Sequence, residues 1–294
     1  MEVVFEIAGT TRQAFHKWQQ PSVFEQKRTS DADIVKVAKE VRKNYLPGSG
    51  SRVVYQYIRA KLPEQSKELI GCGRHRFESV CLANGLRIEF HRFIPKTTER
   101  GDFIFDNQVA GMELNDINMV WVCDISYIFS HEGKLIGYSI AIIDLYSKRI
   151  LGLHFSKTMH AHATVQIVLE QALKVRGITK YKLLFFHTDG GKQFIEGNFL
   201  ATLKRYDIRS SMAECCYENA SAEAFNDTLK NHMLNEYILN SFSQLKQVEK
   251  KLEYCYNYNK PHTSLAGRTP VEFEQEIQNL PISQRPIIKV AHSR

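Results

Sequence analysis

MVWVCDISYIFSHEGKLIGYSIAIIDLYSKRILGLHFS, residues 119–156, holds three apolar runs rich in β-branched and aromatic residues. Met119–Ile128, Leu135–Asp144 and Arg149–Ser156 are separated by the turn-forming stretches HEGK (131–134) and YSK (146–148). Short apolar runs joined by short turns predict three consecutive strands of an antiparallel meander. Downstream the period changes. Val165, Ile167, Val168, Ala172 and Leu173 form one apolar face and predict a helix over His162–Val175. KLLFFH (182–187) is continuously apolar, as a central strand buried on both faces would be, and stops at Asp189-Gly190-Gly191. A helix over Phe194–Tyr206, a short strand over Ile208–Met212 and helices over Asn219–Leu239 and Gln244–Tyr258 follow, with a short helix after Thr269-Pro270. The order βββαβαβα predicts an α/β domain: a mixed five-stranded sheet, first antiparallel and then parallel, with helices on both sides.

Upstream, residues 1–92 read as helical. Thr10 or Thr11 can cap a short helix, TRQAFHKWQQ, closed by Pro21. Ile34, Val37, Ala38, Val41 and Tyr45 fall at helical spacing, LPGSGSR (46–52) interrupts, and VVYQYIRA (53–60) resumes. Helix, glycine-containing turn, helix is the outline of a helix-turn-helix and equally of a plain helical hairpin. On the first reading Arg52 and Arg59 are candidate DNA contacts. A further helix, Arg76–Asn84, ends at Gly85, a natural C-cap. The pattern loosens after Leu86. The resulting division is 1–92 helical DNA-binding region, 93–114 linker, 115–278 core with C-terminal helices, and 279–294 tail.

Bulk properties narrow the classes. The 294 residues are 43% hydrophobic and 24% charged, which supports a sizeable buried core. A net charge of +7 favours a polyanionic partner. No apolar run approaches the length of a membrane span and no secretory signal opens the chain, so a soluble, intracellular protein with reduced thiols is expected. Cys72, His75, Cys81 and His91 invite a zinc reading, but their spacings fit no common finger. The cysteines read as small buried hydrophobes.

Three acids stand out. Asp124 interrupts a strongly apolar strand, where a charge is costly unless compensated. Asp189 ends the most apolar strand, and Gly190-Gly191 leaves room for a phosphate or metal near the backbone. Glu223 lies on the following helix among Ala220, Ala222 and Ala224, small residues that allow close packing on the sheet. Converging carboxylates suit two divalent ions, which activate the attacking oxygen and stabilise the leaving oxygen of a phosphodiester. Taken singly, each has a plainer reading: a structural acid, a turn residue, a solvated helix acid. Glu218 competes for the third place but falls at a helix start, where an acid favours the dipole.

MVWVCDISYI (119–128), FFHTDGGKQF (185–194), SMAECCYENASAEAFNDTLK (211–230) and YNYNKPHTSLAGRTPVEF (256–273) resemble, in order, the blocks of OrfB-type insertion-sequence transposases, of the DDE superfamily with retroviral integrases. The resemblance covers about Asn115 to Phe273 and extends weakly to the helix pair at Ile34–Lys61. It implies a ribonuclease-H-like integrase core, catalytic and metal-binding acids at Asp124, Asp189 and Glu223, and two Mg²⁺ or Mn²⁺ ions per site. It implies cleavage at transposon ends and strand transfer into target DNA. Double-stranded DNA, further copies of the chain and a helical protein from an upstream reading frame are the implied partners, and the bacterial cytoplasm, at the nucleoid, the implied place. One feature departs: 33 residues lie between Asp189 and Glu223, two fewer than is usual in that family, with the shortening in AECCYENA. Lys192, Gln193 and Lys230 are candidate DNA contacts, Asn219 a helix cap, and His262 a structural residue rather than a base. Two other readings remain: a catalytically inactive DNA-binding regulator, and a ribonuclease-H-like nuclease without strand transfer.

Overall fold

The computed structural model describes residues 28–88, 105–177, 180–181, 183–213 and 220–290. The helix expected over TRQAFHKWQQ, His91, Cys215, Cys216, Glu218 and Asn219 lie outside them. The described residues fall into two compact units, one within Met1–Asn44 and Gly50–Arg87, the other within Tyr45–Ser49 and Ile88–Arg294.

The first unit holds α1 (Asp31–Asn44), α2 (Ser51–Lys61), α3 (Pro63–Glu68) and α4 (Arg74–Ala83). Ser30 begins α1, its hydroxyl accepting from the Asp33 amide at 3.1 Å. Ile34, Val37, Ala38 and Val41 of α1 are buried, as are Val54 and Ile58 of α2 and Phe77 and Val80 of α4. Their spacing puts one apolar stripe on each helix. α3 was not apparent in the sequence; Pro63 starts it without losing a needed amide. Gly85 follows α4 at φ +72°, the left-handed conformation that glycine adopts without steric cost.

In the second unit β1 (Glu113–Leu114) precedes β2 (Val120–Phe129), β3 (Leu135–Asp144) and β4 (Ile150–Ser156). Then come α5 (Val165–Arg176), β5 (Phe185–Thr188), α6 (Gly197–Arg205), β6 (Arg209–Met212), α7 (Ala220–Asp227), α8 (Phe242–Tyr254), α9 (Pro270–Gln278) and β7 (Ile288–Lys289). The main sheet has the order β4-β3-β2-β5-β6; β2–β3 and β3–β4 are antiparallel, β2–β5 and β5–β6 parallel. This is the ribonuclease-H-like arrangement anticipated from the strand order.

Alternation along β2 builds two cores. Trp121 and Cys123 join Val165, Val168, Leu169, Phe186 and Phe199, under α5 and α6. Val120 and Val122 join Phe225, Leu245, Leu252 and Phe273, under α7, α8 and α9. Gly152 lets α5 lie close: a Cβ there would sit 2.5 Å from the Val168 carbonyl oxygen.

Three expectations need correction. β5 spans four residues, because Leu183 stays 60% exposed and only the end of KLLFFH enters the sheet. The long helix over Asn219–Leu239 is α-helical only through Asp227; Thr228–Met233 widens to a π-helix and Leu234–Glu236 tightens to a 3₁₀ turn. α8 likewise passes into a π-helical stretch, Cys255–Asn259. The loosely patterned segments contribute too: Glu113–Leu114 pairs with Ile288–Lys289 in a small antiparallel sheet.

A buried ionic network ties α9 to the sheet. Arg176 donates to Asp144 at 3.0 Å and to both oxygens of Glu274 at 2.7 and 2.9 Å. Ser147 donates to Glu274 at 2.6 Å, and the amides of Asn118, Tyr146 and Ser147 donate to Asp144. Burial alone would raise the Glu274 carboxyl, but Arg176, Ser147 and Arg149 outweigh it and hold it low. Thr269 caps α9 in a reciprocal capping box with Glu272.

Candidate active site

Asp124 sits in the middle of β2, opposite Ala141 of β3. On its other side β2 runs parallel to β5, with Val120, Trp121 and Val122 beside Phe185, Phe186 and His187. Two residues further along this register, Asp124 is level with Asp189, one residue past the end of β5. Asp124 shares the strand face of Val120 and Val122, the face covered by α7.

The two acids feel each other. The Asp124 carboxyl is pushed up to about 7, first by burial and then by the Asp189 charge. Three groups oppose this: the Ile125 amide at 2.8 Å from Oδ1, the Asn226 amide nitrogen at 2.7 Å from Oδ2, and the Lys230 ammonium. Burial also raises Asp189, against one amide, that of Gly191, at 3.3 Å. Such a pair shares protons, and the last one is held into the neutral range. Lys230 lies one turn beyond Asn226 on the continuing helix; burial lowers its pKa, against the pull of Asp124 and Asp227.

Glu223 is placed differently. α7 turns Ala222, Phe225 and Asn226 toward the sheet, and Glu223, in its first turn, is exposed. Asn226, one turn later, makes the direct contact with Asp124. Among the described residues no group of three or more His, Cys, Asp or Glu side chains stands close enough to hold a metal ion. The structure sets Asp124 and Asp189 level with each other, while Glu223 is exposed in the first turn of α7, the helix whose Asn226 holds Asp124. Oxygen ligands that resist ionisation for want of a counter-charge fit a divalent cation in their donor chemistry, as a two-carboxylate seat. Asn226 was missed in the sequence; its one clue was its place three residues after Glu223, on the same side of the helix.

Lys192 is exposed and Gln193 half-buried in the 3₁₀ turn Lys192–Phe194 just after Asp189, with Phe194 buried as its anchor. Arg52 is exposed in the first turn of α2. Arg59 is built into its own unit. Its guanidinium donates to the Tyr55 hydroxyl at 3.2 Å, the Ser66 hydroxyl at 3.0 Å and the carbonyls of Ser66, Leu69 and Cys72. Cys72, Cys81, Cys123 and Cys255 are buried thiols, and burial raises all four. His262 packs 4.7 Å from the Tyr256 ring and is held down to about 4 by burial, Lys260 and Lys148. No helix among the described residues is long and apolar enough to cross a membrane.

Two family models, each described as Integrase core domain, match residues 115–215 and 206–270, and together run from before β2 to the edge of α9. The chain belongs to the integrase core family. Within it the likeness is to OrfB-type transposases of insertion sequences. The integrase core of this chain is 32% identical over 162 residues to the transposase InsF for insertion sequence IS3A of Escherichia coli K12, covering 54% of each chain. It is 30% identical over 161 residues to the transposase for insertion sequence element IS904 of Lactococcus lactis, covering 54% of this chain and 62% of that one. The match thus spans about half the length of these curated relatives. Among solved structures, the catalytic core domain of HTLV-2 integrase, in complex with magnesium, superposes with a TM-score of 0.43 at 20% identity over 54% of this chain and 97% of that one.

Proposed function

We propose that this chain is a DNA transposase that cleaves phosphodiesters at the ends of its element and joins the freed ends to target DNA. The observation that carries this reading is the Asp124–Asp189 pair: two acids level on neighbouring parallel strands, one held near 7 by burial and by the other. Acids that repel each other in a buried setting favour a cation over a proton at working pH.

Asp124 and Asp189 would hold Mg²⁺ or Mn²⁺, two ions per site, with Glu223 as the third ligand. Bound there, the ions would supply Lewis acidity to the attacking and leaving oxygens of an in-line displacement. The chain's own groups do the rest. Asn226 fixes the Asp124 carboxylate through Oδ2. Lys230 sets a positive charge beside the acids. Lys192 and Gln193, in the turn after Asp189, contact DNA phosphates, as does Arg52 in the helical unit. Glu223 lies one turn before Asn226, the α7 residue that contacts Asp124. Phosphate contacts dominate affinity, which makes binding strongly salt-dependent. End pairing requires at least two protomers, with an upstream-frame helical protein as a further partner, at the bacterial nucleoid.

A second reading, a catalytically inactive DNA-binding regulator, draws on one observation: Glu223 is exposed, and among the described residues no group of three or more His, Cys, Asp or Glu side chains could hold a metal ion. Cleavage and joining of end DNA in Mg²⁺ or Mn²⁺ separates the two. The wild type should act, while Asp124→Asn, Asp189→Asn and Glu223→Gln bind DNA without cutting it. A wild type that binds the ends and never cuts, alone or fused to the upstream frame, would favour the regulator.

A further inference from the structure

Buried cations are normally paired. Three basic side chains near the β3–β4 turn are not. Lys148 sits in that turn at φ +60°, an uncommon conformation for a lysine. Lys260 follows the π-helical stretch Cys255–Asn259, and His262 lies two residues on, its backbone bridged to Arg268. All three are half-buried. Among the described residues neither lysine makes an ion pair or a side-chain hydrogen bond. Burial depresses both ammonium groups; Asp144 opposes this at Lys148, and nothing opposes it at Lys260. Asp144 is itself engaged by Arg176 and three amides. The two lysines act on the His262 ring, whose Nε2 is buried with no hydrogen-bond partner in the protein.

Three basic groups gathered where Asp144, the one acid acting on Lys148, is already held by Arg176 cost folding energy and have one common remedy, an oxyanion. We propose that Lys148, Lys260 and His262 form a second phosphate-docking site, which grips a backbone phosphodiester of DNA away from the Asp124–Asp189 pair. The separation follows from register: Asp124 is opposite Ala141, and β3 continues three residues to Asp144, about 10 Å, before the turn that carries Lys148. The phosphate held here is therefore not the one being cut. Burial first, and the two ammonium charges after it, keep the imidazole neutral; the phosphate offsets those charges, and the ring then takes up a proton from solvent. Nε2 becomes a third donor. The charged groups acting on that ring are Lys148 and Lys260.

The choice of DNA as the source of the phosphate rests on the transposase reading; the anion site itself does not. The test uses the full chain in EDTA, so that cleavage plays no part. Affinity for a labelled duplex is measured against salt for the wild type, Lys148→Gln/Lys260→Gln and Lys148→Arg/Lys260→Arg. Loss of one phosphate contact should make the log–log slope shallower by about 0.9 in the glutamine variant, and the arginine variant should keep the wild-type slope. Melting temperature with and without inorganic phosphate is the second measurement. The glutamine variant should melt higher than the wild type in phosphate-free buffer, since it sheds unpaired buried charge, and phosphate should raise the wild type and not the glutamine variant. A folded glutamine variant with an unchanged slope overturns the DNA assignment, and phosphate stabilisation without a slope change reassigns the site to a free anion. A glutamine variant that melts lower and shifts with phosphate as the wild type does overturns the site. Asp124→Asn, which tests the catalytic reading, should leave the slope and the phosphate response as they are.

Discussion

Asp124, half-buried, and Asp144, fully buried, are acids on adjacent strands of one sheet, opposite Ala141 and Trp121, and their surroundings differ in kind. Burial raises both. Asp144 meets an arginine and three backbone amides, and Arg176 joins it to Glu274 on α9. Asp124 meets a second acid, and the groups opposing that repulsion are one amide, one asparagine and a lysine that is itself depressed by burial. The first is a completed ionic network and belongs to the architecture. The second is two acids short of positive charge, and that shortage is what a cation site presents.

The comparison breaks most visibly through stability. Arg176→Met leaves Asp144 buried without its cation and Glu274 with Arg149 alone, and should destabilise the protein by about 3–5 kcal/mol in chemical denaturation. Asp124→Asn should act in the opposite direction. The folded-state pKa of Asp124, about 7, lies above the unfolded value of 3.8. The native state thus binds the extra proton, and stability falls as pH rises from about 4 to about 7. Removing the charge should stabilise the protein by about 2–4 kcal/mol at pH 8 and by almost nothing at pH 3.5. Denaturation curves at the two pH values check both sign and window; equal effects at both would contradict the assignment.

Smaller effects sharpen the contrast. Asn226→Ala removes the hydrogen bond to Asp124 Oδ2, costs about 1–2 kcal/mol at pH 8, and raises the Asp124 titration further in NMR. Thr269→Ala opens the capping box of α9 and should cost about 1 kcal/mol with no change at Asp124.

Much of the fold was legible because it rests on periodicity. The apolar, β-branched and aromatic run Met119–Ile128 marked β2 as a strand, and the turns HEGK and YSK set the meander. The π-helical ends of α7 and α8 were not legible, since apolar spacing over one turn does not separate an α from a π register. β1 and β7 were not legible either: two residues carry no period. Within the site, Asp124 and Asp189 stood out through the cost of a charge in an apolar run. Arg59 was named for its charge, which is visible in sequence, whereas its acceptors, at Ser66, Leu69 and Cys72, belong to a turn whose course is not. Glu223 was named from its helix and from a motif; that it stands exposed while Asn226, one turn later, holds Asp124 depends on how α7 lies on the sheet, which no local pattern encodes.

The most direct test of the carboxylate seat is calorimetric titration of Mn²⁺ into the full chain near pH 6.5, in two buffers of different ionisation enthalpy. The account predicts binding by the wild type with release of a proton from the Asp124–Asp189 pair, and loss of both binding and release in Asp124→Asn and in Asp189→Asn. Mn²⁺ bound equally well by those variants, or bound by the wild type with no proton released, would contradict it.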